Sequence, residues 1–457
     1  MVEAGFLEHD YSYTFASRLD ERRDGAAALL ELATTVAPGR ERLFFSGALV
    51  RPELGACLLL AISEVALQRY YTPFQVIRSA MDAADPVVSA SGSRLRFESF
   101  SRCCGVYARA DFLAEMLAPE SFDKGVTNVD FNPETRAALA RVRAESSLCL
   151  RVTPEAVALT SERCSTVERK VKLPLRWLRG FAEVQSLAAR LECAATLDGP
   201  QARRFLTSLP SKIGAKDHLW LTPAPGGVRL SQQPGAGAVS SAGLGRLSAM
   251  KPLARHAIGM RIYGGAFGVS AFELDFGVAR FLIVLSAAPS RGFSGEGQLL
   301  AALMRGEADA ALAQIEARLR NVDELRAETL AAETHLPAAE IATALALLAT
   351  RGAIGFDPRE RVHFHRELPF DQTALDSLHP RLKAARALVA EGAVTVESRK
   401  GEEISARVRG SSIEHRVKID GDASRCTCAW HSRTGGESGP CKHILATFAA
   451  IELAATS

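Results

Sequence analysis

The 457-residue sequence has no apolar run long enough to cross a bilayer. Its longest, such as residues 56–62 and 281–285, fall far short of the ~20 residues a spanning helix needs. The N-terminus, MVEAGFLEHDYSYTF, lacks the apolar core of a secretory signal, so a cytoplasmic protein is expected. An excess of charge is also missing. The 55 Lys+Arg against 52 Asp+Glu leave a formal +3. The overall field gives no reason to expect nucleic acid, membranes or acidic substrates, and any such binding must come from a local patch. Nine cysteines, an odd number, are too few for a disulfide scaffold. Catalytic signatures are absent as well: there is no G-x-x-x-x-G-K-[ST], no G-x-S-x-G and no H-E-x-x-H. The vicinal pair Cys103–Cys104 has no marked base, and Cys57 sits in the apolar CLLLAI. No catalytic residue is assigned, and the chain is read as a non-enzyme. With 47% hydrophobic and 23% charged residues it is nonetheless a folded protein rather than a disordered one.

At ~150 residues per domain the length suggests about three domains, and the element pattern is that of a multi-domain α+β protein. Residues 1–145 read as mostly helical. Pro52 opens RPELGACLLLAISEVALQRYY, in which Leu54, Leu58, Ile62 and Val65 recur at helical spacing. Pro73 opens a second helix, and Asn132–Pro133 starts a third. Residues 146–298 form an α+β domain. LCLRVTPEAVALTSE is strand, turn and strand; PLRWLRGFAEVQSLAARL is a helix; HLWLTP, GVRLS, SAFELDF and ARFLIVLS are strands. PGAGAVSSAGLGRLS is expected to be a loop, and its Gly-x-Gly steps lack the strand-to-helix setting of a phosphate loop.

Residues 299–370 begin with a helix over 299–320. DELRAETLAAE, a turn at 334–336 and EIATALALLAT then give two helices, followed by a hairpin about Asp357–Pro358. Over residues 305–367 this order resembles a winged helix-turn-helix. The second helix would be the reading helix. Beside its core stripe of Ile341, Leu345 and Leu348 it offers Glu340, Thr343, Ala344 and Leu347, with Arg351 only at its end. Base edges are read by Arg, Lys, Asn or Gln, so a module that docks protein is expected. In the wing, Arg359, Arg361, His363, His365 and Arg366 are offset by Glu360 and Glu367. His363 and His365 share a strand face and are expected to be a surface pair without metal.

Residues 380–457 hold the constellation with chemistry in it. RCTCAWHSRTGGESGPCKHILA places Cys426 and Cys428, then twelve residues, then Cys441 and His443. Three thiolates and an imidazole suit tetrahedral Zn²⁺. Four ligands close the site, so the metal is structural and has no place for a catalytic water. His431 is a rival ligand or a solvated loop histidine, and Trp430 is expected to cover the metal as an apolar cap. The Cys-x-Cys…Cys-x-His spacing, with strands before it and an apolar helix after it, resembles the SWIM zinc finger over about residues 395–450. The expected fold there is three strands plus a helix. The resemblance implies a binding module for nucleic acid or protein with no catalysis of its own. LPLRWLRGFAEVQ and GVTNVDFN are further similar to stand-alone bacterial SWIM proteins. That likeness implies partners of the MoxR-type AAA ATPase and von Willebrand A-domain classes.

In IEHRVKI the residues Ile413, His415, Val417 and Ile419 alternate onto one strand face, and in ISARVR Arg407 and Arg409 oppose Ala406 and Val408. If these strands pair, one face carries Arg407, Arg409, Arg416 and Lys418 against Glu414 alone. That is a phosphate-contacting patch; the alternative is a solvated sheet face. The expected function is a non-enzymatic zinc-binding adaptor between proteins. The alternative is a DNA- or other nucleic-acid-binding protein that uses the finger's basic face.

Overall fold

Successive strand residues point to opposite faces, so a strand buried on both sides must find partners for whatever it carries on each. That condition explains most of this fold. The structure, a computed structural model, describes residues 18–20, 29–31, 43–70, 86–91, 93–128, 131–154, 156–161, 164–169, 175–209, 218–265, 268–287, 292–293, 309–319, 322–368, 380–401, 403–410, 413–421, 423–434 and 439–456. The expected helix from Pro73 lies outside them, as do residues 299–308.

Two units are present. In Met1–Leu43, β1 (Arg18–Asp20) pairs antiparallel with β2 (Leu29–Glu31). The unit Phe44–Ser457 opens with β3 (Phe45–Leu49), α1 (Pro52–Leu67), β4 (Val87–Ser91), β5 (Arg94–Phe100), β6 (Val106–Phe112), β7 (Leu117–Phe122) and β8 (Gly125–Asn128). There follow α2 (Pro133–Leu139), β9 (Cys149–Val152), β10 (Ala156–Ser161), β11 (Cys164–Arg169), α3 (Leu175–Ala188), β12 (Glu192–Asp198) and α4 (Gly199–Ser208). Next come β13 (His218–Ala224), β14 (Gly227–Ser231), β15 (Val239–Ala242), β16 (Gly259–Gly264), β17 (Ser270–Asp275) and β18 (Ala279–Leu285).

Helix starts obey local chemistry. Asn132 accepts a 2.8 Å bond from the Thr135 N–H, and Pro133 fills the first helical position. Asp198 and Gln201 close a reciprocal capping box on α4. The expectation of a mostly helical 1–145 is corrected for the described residues. Among the described residues of 45–128 there are six strands, and apart from one short 3₁₀ turn α1 is the only helix there. The loop expected at PGAGAVSSAGLGRLS contains β15 and a 3₁₀ turn over Leu244–Met250.

β12-β16-β17-β18-β6-β5-β4-β8 form one eight-stranded antiparallel sheet, and β11-β10-β9-β3-β7 a five-stranded one. The central strands of the larger sheet, β17, β18, β6, β5 and β4, are buried on both faces. Phe97, Ala110, Phe112, Phe281 and Ile283 point to one face, in a single core with Leu58, Leu59 and Ile62 of α1. The other face is divided. At one part Phe100, Tyr107, Leu282 and Val284 lie under Trp177, Phe181 and Val184 of α3. At the other part the alternate residues are Arg96, Glu98, Arg109, Asp111, Glu273 and Arg280, all buried.

That charged part is covered by a helix–hairpin module. It comprises α5 (Asp309–Leu319), β19 (Glu324–Leu325), α6 (Ala327–Thr334), α7 (Ala338–Thr350), β20 (Ile354–Asp357) and β21 (Val362–His365), with strands in the order β19-β21-β20. The module has its own apolar core, including Ile315, Leu330, Ile341, Leu345 and Leu348. α7 packs against both α5 and α3. The hairpin is therefore no projecting wing. Asp357 and Phe364 are buried, and Arg366 is buried as an ion pair with Glu98. His363 is buried too, edge-on to Phe356 at 4.9 Å, and burial pushes its pKa down to about 4. The surface histidine pair is corrected accordingly: only His365 is half-exposed, 3.7 Å from Glu367.

The last segment consists of α8 (Pro380–Ala390), β22 (Val394–Lys400), β23 (Glu403–Arg409), β24 (Glu414–Asp420), β25 (Ala423–Cys426), α9 (Ala429–Thr434) and α10 (Lys442–Thr456). Its four-stranded sheet has one strand more than expected. Leu382, Leu388, Ala406, Val417, Ile444 and Leu445 share its core. Among the described residues no helix is long and apolar enough to cross a membrane.

Candidate metal centre

Three elements deliver the four ligand side chains. Cys426 ends β25, Cys428 precedes α9, and Cys441 and His443 lie at the start of α10. The turn between β25 and α9 is fixed from the sheet side. The Thr427 N–H donates to the Arg416 carbonyl at 3.1 Å, and the Thr427 hydroxyl accepts from the Arg416 N–H at 3.0 Å. The α10 start is held by the Leu445 N–H on the Cys441 carbonyl and by the Arg381 guanidinium on the Pro440 carbonyl.

The donor atoms of Cys426, Cys428, Cys441 and His443 all lie within 4.8 Å of one another, and all four residues are buried. His443 turns Nδ1 toward the sulfurs, 3.8 Å from Cys426 Sγ and 3.9 Å from Cys441 Sγ. A tetrahedral zinc with bonds of ~2.3 Å to sulfur and ~2.0 Å to nitrogen has N–S edges of about 3.5 Å and S–S edges of about 3.8 Å, so the donors need draw in by only a few tenths of an ångström from the two N–S separations to hold such an ion.

The electrostatics agree. Backbone N–H groups favour the ionised sulfurs: His431 donates to Cys428, and the amides of Cys428 and Ile444 act in the same sense on Cys426 and Cys441. The His431 bond is 3.4 Å long. These amides offset the −1 left when three thiolates surround a divalent cation. The Cys426 thiol, followed by His443 and the Ile444 N–H, draws Cys441 down to about 4 against the effect of burial. Cys426 is pushed up by the hydrogen bond it gives Cys441, and Cys428 is pushed up by burial. A central cation removes this conflict and lets all three ionise. With four protein donors the site is closed, which is the arrangement of structural zinc.

His431, the rival ligand, contributes its backbone N–H, and its side chain is not in the cluster. Trp430 lies at the edge of the finger's core with the Arg381 guanidinium over its ring at 4.4 Å. The His415 ring stacks on His443, centroids 4.2 Å apart. Gly410 leaves room for it, since a Cβ there would stand 3.1 Å from His415 Nε2. The amide donors and this stacking have no signature in side-chain spacing.

The four basic residues do share one exposed face. Arg407 pairs in register with Arg416 and Ser405 with Lys418, and Arg409 and Glu414 face each other. Arg425, opposite Lys418, joins them. The expectation that Glu414 stands alone against them is corrected. Glu397 on β22 binds Arg407 at 2.6 Å, Glu414 binds the same nitrogen at 3.2 Å, and Glu403 and Asp420 flank the face.

Residues 415–452 match the model of the SWIM zinc finger family. This part of the chain is a SWIM-type zinc finger, and Zn²⁺ is its metal. No curated protein sequence matches the chain. Among solved structures, the chain is similar to proliferating cellular nuclear antigen from Entamoeba histolytica at TM-score 0.36 and 9% identity, covering 53% of this chain and 98% of that one. The PCNA2–PCNA3 complex from Sulfolobus tokodaii gives 0.40 and 9%, with the same coverage. Both likenesses are too distant to bear on fold or function.

Proposed function

We propose that the chain is a non-enzymatic adaptor in which an α+β body presents a zinc-closed finger to other proteins. The observation that carries this reading is the burial of α7. In a DNA-reading winged helix the corresponding helix must enter the major groove. Here Ile341, Thr343, Leu345, Ala346, Leu348 and Thr350 are all buried, so the helix has little free side to present. The finger's sheet face points the same way, because its cations are interleaved with carboxylates, two of which already bind Arg407. Such mixed polar surfaces are common at the rims of protein–protein interfaces. The partners implied by the likeness to stand-alone bacterial SWIM proteins are a MoxR-type AAA ATPase and a von Willebrand A-domain protein.

The test is affinity capture with the full chain, with and without nuclease. The adaptor reading expects the same protein partners after nuclease, an AAA ATPase among them. Loss of all partners favours nucleic acid instead. The placement of Arg407, Arg409, Arg416 and Lys418 on one face supports that second reading. If it holds, neutralising all four lowers the salt slope of binding by ~3–4 units for any sequence.

A further inference from the structure

The contact between the β20–β21 hairpin and the eight-stranded sheet is made of charge on both sides. Asp357 is its centre. Asp357 Oδ2 stands 3.2 Å from Arg109, 3.3 Å from Arg94 and 3.8 Å from Arg280. Around it, Arg280 binds Glu360 at 2.6 Å, Arg359 binds Asp275 at 2.7 Å and Glu273 at 3.4 Å, and Arg366 binds Glu98. Asp111, held by Arg96 at 2.5 Å and Arg109 at 2.8 Å, completes the sheet side. The aromatic side chain between the layers, Phe364, lies under the Arg96 guanidinium, 3.4 Å from its ring centre. The hairpin backbone is held by polar groups too. Arg109 donates to the Phe356 carbonyl at 2.8 Å, and the Phe356 N–H donates to the Gln185 side chain.

A contact meant to stay closed gains nothing from this construction. Each buried charge loses several kcal/mol of hydration, and well-packed apolar replacements are often as stable or more so. The cores of permanent interfaces are depleted in charge for that reason. A contact that opens has the opposite need: both uncovered surfaces must tolerate water, and the hairpin's contact with the sheet is charged on both sides, although opening also parts α7 from α3 and uncovers Phe356 and Phe364. The apolar cores are also discontinuous. The module's core, around Ile341 and Leu345, shares no residue with the core under α3, to which the module lends only Leu368. The sheet itself is backed on its other face by α1 and does not depend on the hairpin for strand pairing.

We propose that the helix–hairpin module, residues 309–368, is a detachable clasp. It lifts from the charged part of the sheet as a unit while the sheet stays folded, and closed it hides α7 and the ion network. This device is independent of what the zinc finger binds.

Hydroxyl-radical footprinting of the full chain, read by mass spectrometry, tests it without engineered cysteines. In wild type under rising urea, Phe356 and Phe364 are expected to become labelled at clearly lower urea than Phe97 and Phe281 on the sheet's other face. Labelling of all four at one midpoint overturns the proposal. Asp357→Asn in the absence of urea is expected to raise Phe364 labelling about tenfold or more, with Phe97 and Phe281 unchanged. No change at Phe364, or a parallel rise at Phe97, counts against the clasp. Arg359→Gln, at the rim of the network, is expected to shift the Phe364 urea profile in the same direction by less; a shift shared by Phe97 overturns it.

Discussion

In the finger a cation belongs among three sulfurs and an imidazole; at the hairpin turn a carboxylate sits among three guanidiniums. The two arrangements are electrostatic inversions of each other, and they do different work. The finger's elements are near neighbours in sequence, and its small core cannot hold four strands and three helices unaided. A metal with four covalent-like bonds closes it. The hairpin instead joins segments about 250 residues apart, such as Arg109 and Asp357. It uses ion pairs whose attraction and hydration costs nearly cancel. The comparison teaches that the metal fixes a local fold, whereas the ion network fixes a register between parts already folded.

The comparison can be broken first at the metal. Structural zinc contributes ~10–16 kcal/mol of apparent free energy in small fingers. Cys428→Ala, or a strong chelator, is expected to abolish hydrogen-exchange protection in β22–β25 and α10 and to leave β5, β6, β17 and β18 protected. Elemental analysis of wild type should return one zinc per chain. A next-smaller effect is expected at the carboxylate. Asp357→Asn leaves three guanidiniums without their shared anion. It should cost ~3–5 kcal/mol, the usual loss when one partner of a buried pair is removed, measured by equilibrium urea denaturation.

Acidity sharpens the contrast. Glu273 is buried and faces Asp357, with Arg109, Arg280 and Arg359 also around it and the Tyr263 hydroxyl at 3.5 Å. Burial, and then Asp357, push its pKa from 4.5 up to about 7. A carboxyl raised in the folded state stabilises most below its unfolded pKa, and that contribution is lost as pH rises through about 7. Asp111 and Asp357 are shifted down; burial opposes this, but Arg109 and the neighbouring arginines outweigh it. Their contribution is present above their unfolded pKa and is lost on acidification. Glu273 alone therefore lowers stability by about 3 kcal/mol between about pH 5 and pH 8, while His363, whose pKa burial pushes down to about 4, opposes it by gaining stability as pH rises over the same range. Glu273→Gln should remove the first contribution and leave stability rising over that range, as followed by urea midpoints across pH. The smallest effect belongs to the finger's open face. Arg407 and its two glutamates are each about half exposed, so Arg407→Gln should change the finger's stability by less than ~1 kcal/mol in thermal unfolding.

The finger was legible in the sequence because its chemistry lies in side chains at fixed spacing, and Cys426, Cys428, Cys441 and His443 do converge. The strands over 45–128 were not. RLRFESF and VYARADF place Arg96, Glu98, Arg109 and Asp111 at alternate positions, a pattern that ordinarily marks a solvent face. Here those charges are buried because residues 357–366 cover them: Asp357 binds Arg109 and Arg366 binds Glu98, while Arg96 and Asp111 pair within the sheet, and no local pattern announces a cover that far away. The hairpin's own elements were legible for the opposite reason: Asp357–Pro358 is turn chemistry, and Asp357 Oδ1 accepts from the Arg359 N–H at 2.9 Å. What that turn docks against was not. Gly355 shows the same split. It reads as an ordinary glycine, yet a Cβ there would stand 2.1 Å from the Phe364 ring that lies under Arg96.

The three amides that reach the zinc-site sulfurs belong to Cys428, His431 and Ile444. Since a main-chain N–H is common to every residue except proline, positions 431 and 444 act on the charge at the metal through the main chain, while their buried side chains answer to packing. Proline is the one replacement that removes the donor and leaves the anionic sulfur uncompensated. Loss of zinc on proline replacement at 431 or 444 beyond that on other replacements is thus the mutational fingerprint to seek, and a saturation library scored for zinc retention would display it.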